Sequence, residues 1–203
     1  MENQDKKKEL IIDAALKRFA HFGLSKTTMT EIANDLSLSK ALLYYYFPDK
    51  ISLYAAVLNS ILNMMDKQVR KCVEGAESSF ESLTLLLDKR QEFIIKYYNL
   101  LDFTKITGSE LPDELAAMFK KAKQSEIGLL TSILNKGVEK GELIVDDPLD
   151  TAILLMDALG GVVFNVLKPH TRPFFPEKEQ FDMILQRQKK LGHIFLSGLR
   201  QCD

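Results

Sequence analysis

Helix-stop signals fall unevenly along this chain, and their spacing limits its fold more than any other feature. Three closely set stops divide the first fifty residues: Gly23, Ser37-Leu38-Ser39 and Pro48-Asp49. Ahead of the first stop, Ile11, Ala15, Phe19 and Phe22 recur at spacings of four, four and three, one face of a helix that ends at Gly23. Thr28-Met29-Thr30-Glu31 has the pattern of a capping box, in which the threonine hydroxyl caps a backbone amide and the glutamate reaches back. It opens a short second helix with Ile32, Ala33 and Leu36 as apolar positions. Ser39 then reads as N-cap of a third short helix, Lys40 to Phe47. Asp49 caps a long fourth one, whose stripe is Tyr54, Leu58, Ile61, Leu62 and Met65.

Later breaks are sparse, because the whole chain holds ten glycines and six prolines. A break at Gly75 to Ser79 precedes a fifth helix carrying Phe80, Leu83, Leu87, Ile94 and Tyr97. Leu101 to Leu111 reads as irregular. Pro112-Asp113 opens a helix that runs to Gly137 or Glu139, and Asp146-Asp147-Pro148 opens another with Ala152, Leu155, Leu159, Val163 and Val166 on one face. Pro169 to Pro176 is a loop, and a final helix runs from Glu177 to about Leu199. No repeat and no convincing strand emerges. The expected fold is all-α, about nine helices: an N-terminal three-helix helix-turn-helix domain over residues 1–50, then a C-terminal helical bundle over 51–203, with helix 4 (from 49) linking them.

Several function classes find no support. No Gly-rich phosphate loop, nucleophile motif or helical His pair with Glu is present, so no enzyme is expected. Cys72 and Cys202 are far apart, His21, His170 and His193 are scattered, and neither set has metal-ligand spacing; no metal and no cofactor are expected. No apolar run reaches the roughly 18 residues of a membrane span, and Met1 to Leu10 lacks a secretion signal's apolar stretch, so the expectation is cytoplasmic, with no membrane partner. Net charge is −1, with eight Lys/Arg against seven Asp/Glu in the first fifty residues. Any binding of nucleic acid must therefore come from local placement of charge, since bulk charge does not supply it.

That placement is found around the third helix. Drawn at about 100° per residue, Lys40, Ala41, Tyr44 and Tyr45 fall within about 140° of one another, while Leu42, Leu43 and Tyr46 take the other side. Three short helices before a long one suit a head whose third helix enters a major groove. Lys40 and Lys50 each stand in the first turn of a helix, where a cation costs a few tenths to about 1 kcal/mol against the dipole. A bound phosphate would reverse that sign.

Gly23-Leu24-Ser25-Lys26-Thr27-Thr28-Met29-Thr30-Glu31-Ile32-Ala33, followed by Ser39-Lys40-Ala41-Leu42-Leu43-Tyr44-Tyr45-Tyr46-Phe47-Pro48-Asp49-Lys50, resembles the DNA-binding domain of the tetracycline-repressor (TetR) family over residues 6–60. The resemblance implies DNA contacts from Thr27, Thr28, Ser39, Lys40, Ala41, Tyr44, Tyr45 and Lys50: Thr28 on phosphate, Lys40, Ala41 and Tyr45 toward bases or nearby backbone, Tyr44 and Lys50 on phosphates. Three positions depart from the pattern. Ser37 stands where glycine is usual, and so needs a left-handed backbone at some cost. Leu42 replaces a small or polar residue, and Tyr46 a frequent histidine. These bear on which operator is read.

From residue 51 onward the chain resembles the family only in layout. The resemblance implies a homodimer on a palindromic double-stranded operator, most often a repressor released by a small-molecule effector; activation stays open. The other class of reading is a helical interaction or scaffold protein with a vestigial helix-turn-helix. Gly160-Gly161 inside an apolar helix costs about 1 kcal/mol each relative to alanine, which close helix approach would offset. Either a dimer interface with Gly160, Gly161, Ile184, Leu191 and Phe195 or packing within the chain would use it. Tyr97, Tyr98, Phe103, Met118, Phe119, Met156, Phe164 and Asn165 are the candidate lining of an effector pocket, with Asn165 as the polar group that would orient a ligand.

Overall fold

The computed structural model describes residues 2–101, 112–166 and 178–200. Among these are nine helices and no strand: α1 (Glu2–Lys26), α2 (Met29–Asp35), α3 (Lys40–Tyr46), α4 (Lys50–Glu74), α5 (Ser79–Lys96), α6 (Tyr98–Leu101), α7 (Asp113–Glu139), α8 (Pro148–Val166) and α9 (Lys178–Ser197). The caps stand where the sequence puts them. Thr28 Oγ1 accepts from the Glu31 amide, and Glu31 Oε2 accepts from the Thr28 amide at 2.8 Å. Ser39 Oγ accepts from the Leu42 amide at 3.2 Å, and Asp49 Oδ1 from the Ser52 amide at 2.7 Å. Asp147 Oδ1 takes the Leu149 and Asp150 amides, with Pro148 filling the first helical position, where no amide is needed.

The residues pack as two units, Met1–Met64 with Lys96–Ala122, and Met65–Ile95 with Lys123–Asp203. In the first, Ile11, Ala15, Phe19, Ile32, Leu43 and Phe47 are buried, and Phe19 meets the Tyr54 ring edge-on at 5.3 Å. The packing does not divide at residue 50, because Leu53, Tyr54, Val57, Leu58 and Ile61 of α4 share this core, together with Tyr97, Leu100 and Leu115. The compact units part within α4, between residues 64 and 65, and not at 50. The four-residue α6 falls where no helix was expected; it packs against α1, and its Leu100 carbonyl accepts from the Tyr54 hydroxyl.

At Gly23 the backbone leaves the helix with φ 77° and ψ 165°, although helical bonding resumes to Lys26. Ser37 has φ 52°, the left-handed turn expected of it. Arg18 of α1 pairs with Asp35 and, at 3.4 Å, with Glu31, tying α1 to α2.

The second unit buries Val69 and Val73 of α4, Leu83, Leu86 and Leu87 of α5, Leu130, Ile133 and Leu134 of α7, Ala152, Leu155 and Leu159 of α8, and Leu196 of α9. A polar chain crosses it. Arg90 of α5 pairs with Glu126 of α7 and donates to Gln188 Oε1 of α9 at 2.9 Å, while the buried Gln188 amide donates to the Leu159 carbonyl of α8 at 2.9 Å. α8 is long and apolar enough, by length and composition, to cross a membrane, although Asp150 and Asp157 interrupt it, so that no consecutive apolar run reaches 18 residues.

Candidate nucleic-acid interface

Helix α3 is seven residues long and is held at three points: the Ser39 cap, the fully buried Leu43, and Phe47, whose amide donates to the Leu43 carbonyl at 3.0 Å. That anchorage turns the opposite face outward. Lys40 and Ala41 are exposed, Tyr44 is 40% and Tyr45 69% exposed, and Leu42 and Tyr46 are half-buried beneath them. Tyr45 and Tyr46 pack edge to face at 5.3 Å, and Lys40 Nζ lies 5.8 Å from the centre of the Tyr44 ring. A flat cluster of phenols beside one cation, on a rigid short helix, has the size and hydrogen-bonding groups to enter a major groove.

Residues 11–57 match the family model described as bacterial regulatory proteins, tetR family. Over nearly its whole length the chain is similar to the crystal structure of a transcriptional regulator from Cytophaga hutchinsonii ATCC 33406, with 32% identity, 96% of this chain and 99% of that chain covered, and a TM-score of 0.83. The chain belongs to the TetR family of transcriptional regulators. Two curated HTH-type transcriptional regulators are similar to this regulator over different lengths. The HTH-type transcriptional regulator YhgD of Bacillus subtilis (strain 168) is 23% identical over 164 residues, 81% of this chain and 86% of its own length. The regulator RutR of Escherichia coli (strain K12) is 47% identical over 58 residues, 29% of this chain and 27% of its own length.

Within the regulator's DNA-reading head, the expected contact residues separate into four groups. Ser39, Lys40, Ala41, Tyr44 and Tyr45 lie exposed on or beside α3. Thr28 is exposed too, but its hydroxyl donates to Glu31 Oε2 at 2.8 Å, so this proton is committed to the capping box. Thr27 is the clear correction: it is fully buried, its hydroxyl donating to the Gly23 carbonyl at 2.9 Å, and it supports the kink instead of meeting DNA.

Lys50 also differs from expectation. Its Nζ donates to the carbonyls of Leu24 at 2.9 Å and Thr27 at 3.1 Å. The cation thus leaves the positive end of α4 for carbonyls at the C-terminal end of α1, the sign the helix dipole favours. Two of its three protons are used there. Carboxylates on the head are similarly engaged. Glu31 titrates below the ordinary carboxylate range, chiefly because the Thr28 hydroxyl and then its amide hydrogen-bond to it; Asp35 does so because of its hydrogen bonds from Arg18.

The expected pocket residues of the regulator do not form one set. Tyr97 is buried, and Tyr98, Met118 and Phe119 are half-buried, all in the first unit; Phe103 lies outside the described residues. Met156 packs on the second core. Phe164 and Asn165 are corrected: Phe164 is 66% exposed, and Asn165 is exposed with its amide donating to the Gly161 carbonyl at 2.9 Å. The buried stripe of α8 runs through Ala152, Leu155 and Leu159, which turns positions 164 and 165 outward.

The expected dimer residues divide likewise. Ile184 is buried in its own chain, and Leu191 and Phe195 pack on the same core, so these three serve the fold. Among the described residues, nothing lies within 4 Å of a Cβ added at Gly160 or Gly161, so none of them packs closely on this pair. Among the described residues, the large apolar side chains left outward are Leu149, Leu154 and Phe164 on α8 and Met183 and Ile194 on α9. Helical spacing from the buried stripe could have found them. Gln4, whose amide donates to the Tyr45 hydroxyl at 3.4 Å, was missed altogether, because it precedes every motif in the head.

Proposed function

We propose that this regulator is a homodimeric repressor that binds a palindromic duplex with two copies of α3 and is released by a small-molecule effector. The observation that carries the reading is the outward face of α3, with Lys40, Ala41, Tyr44 and Tyr45 presented on a buried anchor. One short helix reads few base pairs, and two-fold symmetry doubles the contacts. The outward apolar side chains Leu154, Phe164, Met183 and Ile194, together with the open Gly160-Gly161 backbone, supply a surface for a second copy. Lys40, Ala41 and Tyr45 face the bases or nearby backbone; Ser39, Tyr44 and the third proton of Lys50 take phosphates, and Thr28 does so only if its hydroxyl leaves Glu31. A role on DNA places the protein in the cytoplasm. An effector acts only if it binds a state with mis-spaced heads more tightly than the DNA-bound one. The half-buried Tyr98, Met118 and Phe119 remain candidates for its site.

Selection from random duplexes tests the reading. A palindromic consensus is expected, and Tyr45→Ala should relax preference within each half-site. Failure to retain any duplex at low ionic strength sinks the proposal and favours the scaffold alternative.

A further inference from the structure

The inward stripe of α1 continues beyond the core it serves. At about 100° per residue, Gln4, Lys7 and Lys8 line up with the fully buried Ile11, Ala15 and Phe19. Lys6 and Glu9 fall on the far side of the same helix, and Asp5 lies at its flank, three residues before Lys8. Two contacts fix where the cationic face goes. Gln4 Nε2 donates to the Tyr45 hydroxyl at 3.4 Å, and Lys8 Nζ lies 5.7 Å from the centre of the Phe47 ring. Both bring the first turns of α1 to the C-terminal end of α3. Residues 2–10 of α1 stand ahead of the segment, 11–57, that matches the family model.

We propose that Gln4, Lys7 and Lys8 form an additional DNA-contact strip, in which the two lysines hold backbone phosphates beside the groove that α3 enters and Gln4 positions the Tyr45 phenol. The proposal rests on the DNA-binding reading above. Contact with the Phe47 ring leaves the charge of Lys8 intact, so it can still meet a backbone phosphate. A phenol held by Gln4 loses less freedom when it meets the duplex.

The test compares the full-length protein with Lys7→Gln/Lys8→Gln and with Gln4→Ala, by fluorescence anisotropy on the selected operator and on a random duplex, across a salt series. All three positions are exposed or half-buried, Lys→Gln keeps most of the side-chain stem, and matching Tm values confirm an intact fold. The double variant should flatten the slope of log affinity against log salt by about 1.8 and lose about tenfold or more at low salt, equally on both duplexes. Gln4→Ala should leave the slope alone and lower the ratio of operator to random affinity. An unchanged slope in the double variant, or a loss confined to the operator, overturns the strip while leaving DNA binding in place. If the unmodified protein ignores both duplexes, the broader reading falls and takes the strip with it.

Discussion

Ser37 holds the turn between α2 and α3 at φ 52°, a region where a Cβ costs about 1–2 kcal/mol. Glycine removes that cost and returns part of it through a freer unfolded chain, so Ser37→Gly should raise the unfolding free energy by about 0.5–1 kcal/mol in a urea titration. Lys50 sits at the same scale with the opposite consequence. Lys50→Ala strands the half-buried carbonyls of Leu24 and Thr27, and should lower stability by about 1–3 kcal/mol while weakening binding to every duplex. A Tm equal to that of the unmodified protein would return Lys50 to phosphate binding alone. The carboxylates Glu31 and Asp35 add a pH dependence. Their folded titration lies below the unfolded range, so their stabilisation is complete above that range and is lost as pH falls through the folded values. Glu31→Gln should therefore make the acid-side loss shallower, read from denaturant midpoints at descending pH. Ser37 was legible through the resemblance, which puts glycine at its place in the turn and so implies a left-handed backbone there. It could not separate Thr27 from Thr28: both are small hydroxyls before a helix, and only the kink at Gly23 decides which one is buried.

Elements were legible where their ends carry chemistry. Thr28, Ser39, Asp49 and Asp147 each announce a helix, and each caps one. The short α6 was not legible, because its four residues have no cap or period of their own and form by packing on α1. Faces were harder than ends. On α9 apolar residues occupy both sides, so Ile184, Leu191 and Phe195 looked free until the core claimed them, while Met183 and Ile194 stayed outward. Glycines separate these cases. An alanine Cβ at Gly137 would lie 2.3 Å from Ser79 Oγ and 2.6 Å from Leu143 Cδ1, whereas Gly160 and Gly161 face open space. Gly137→Ala should accordingly cost about 1–3 kcal/mol in thermal or urea unfolding, with α5 and the turn after α7 losing amide protection together.

For the whole molecule, the decisive quantity is the number of copies. Phe164 is 66% exposed, so Phe164→Glu should leave the chain folded, shift it from dimer to monomer in analytical ultracentrifugation, and weaken a palindrome more than a single half-site. A folded variant that remains dimeric would move the interface elsewhere. The DNA-reading end was legible from sequence because groove entry demands particular residues on one short helix. The effector end was not: an apolar cavity and an apolar core use the same residues, as Tyr97 and Met156 illustrate by serving packing.

One feature of the second unit sets how its helices can respond to a load. The Leu159 carbonyl, bonded by Gln188, immediately precedes the glycine pair, and Gln188 is in turn bonded to Arg90, which grips Glu126. Tension on any of α5, α7 or α9 is therefore delivered to α8 beside its most pliable backbone, so a sideways step by one helix must either drag that joint along or snap a desolvated amide from its acceptor. Such a coupling resists gradual drift and favours movement by discrete jumps.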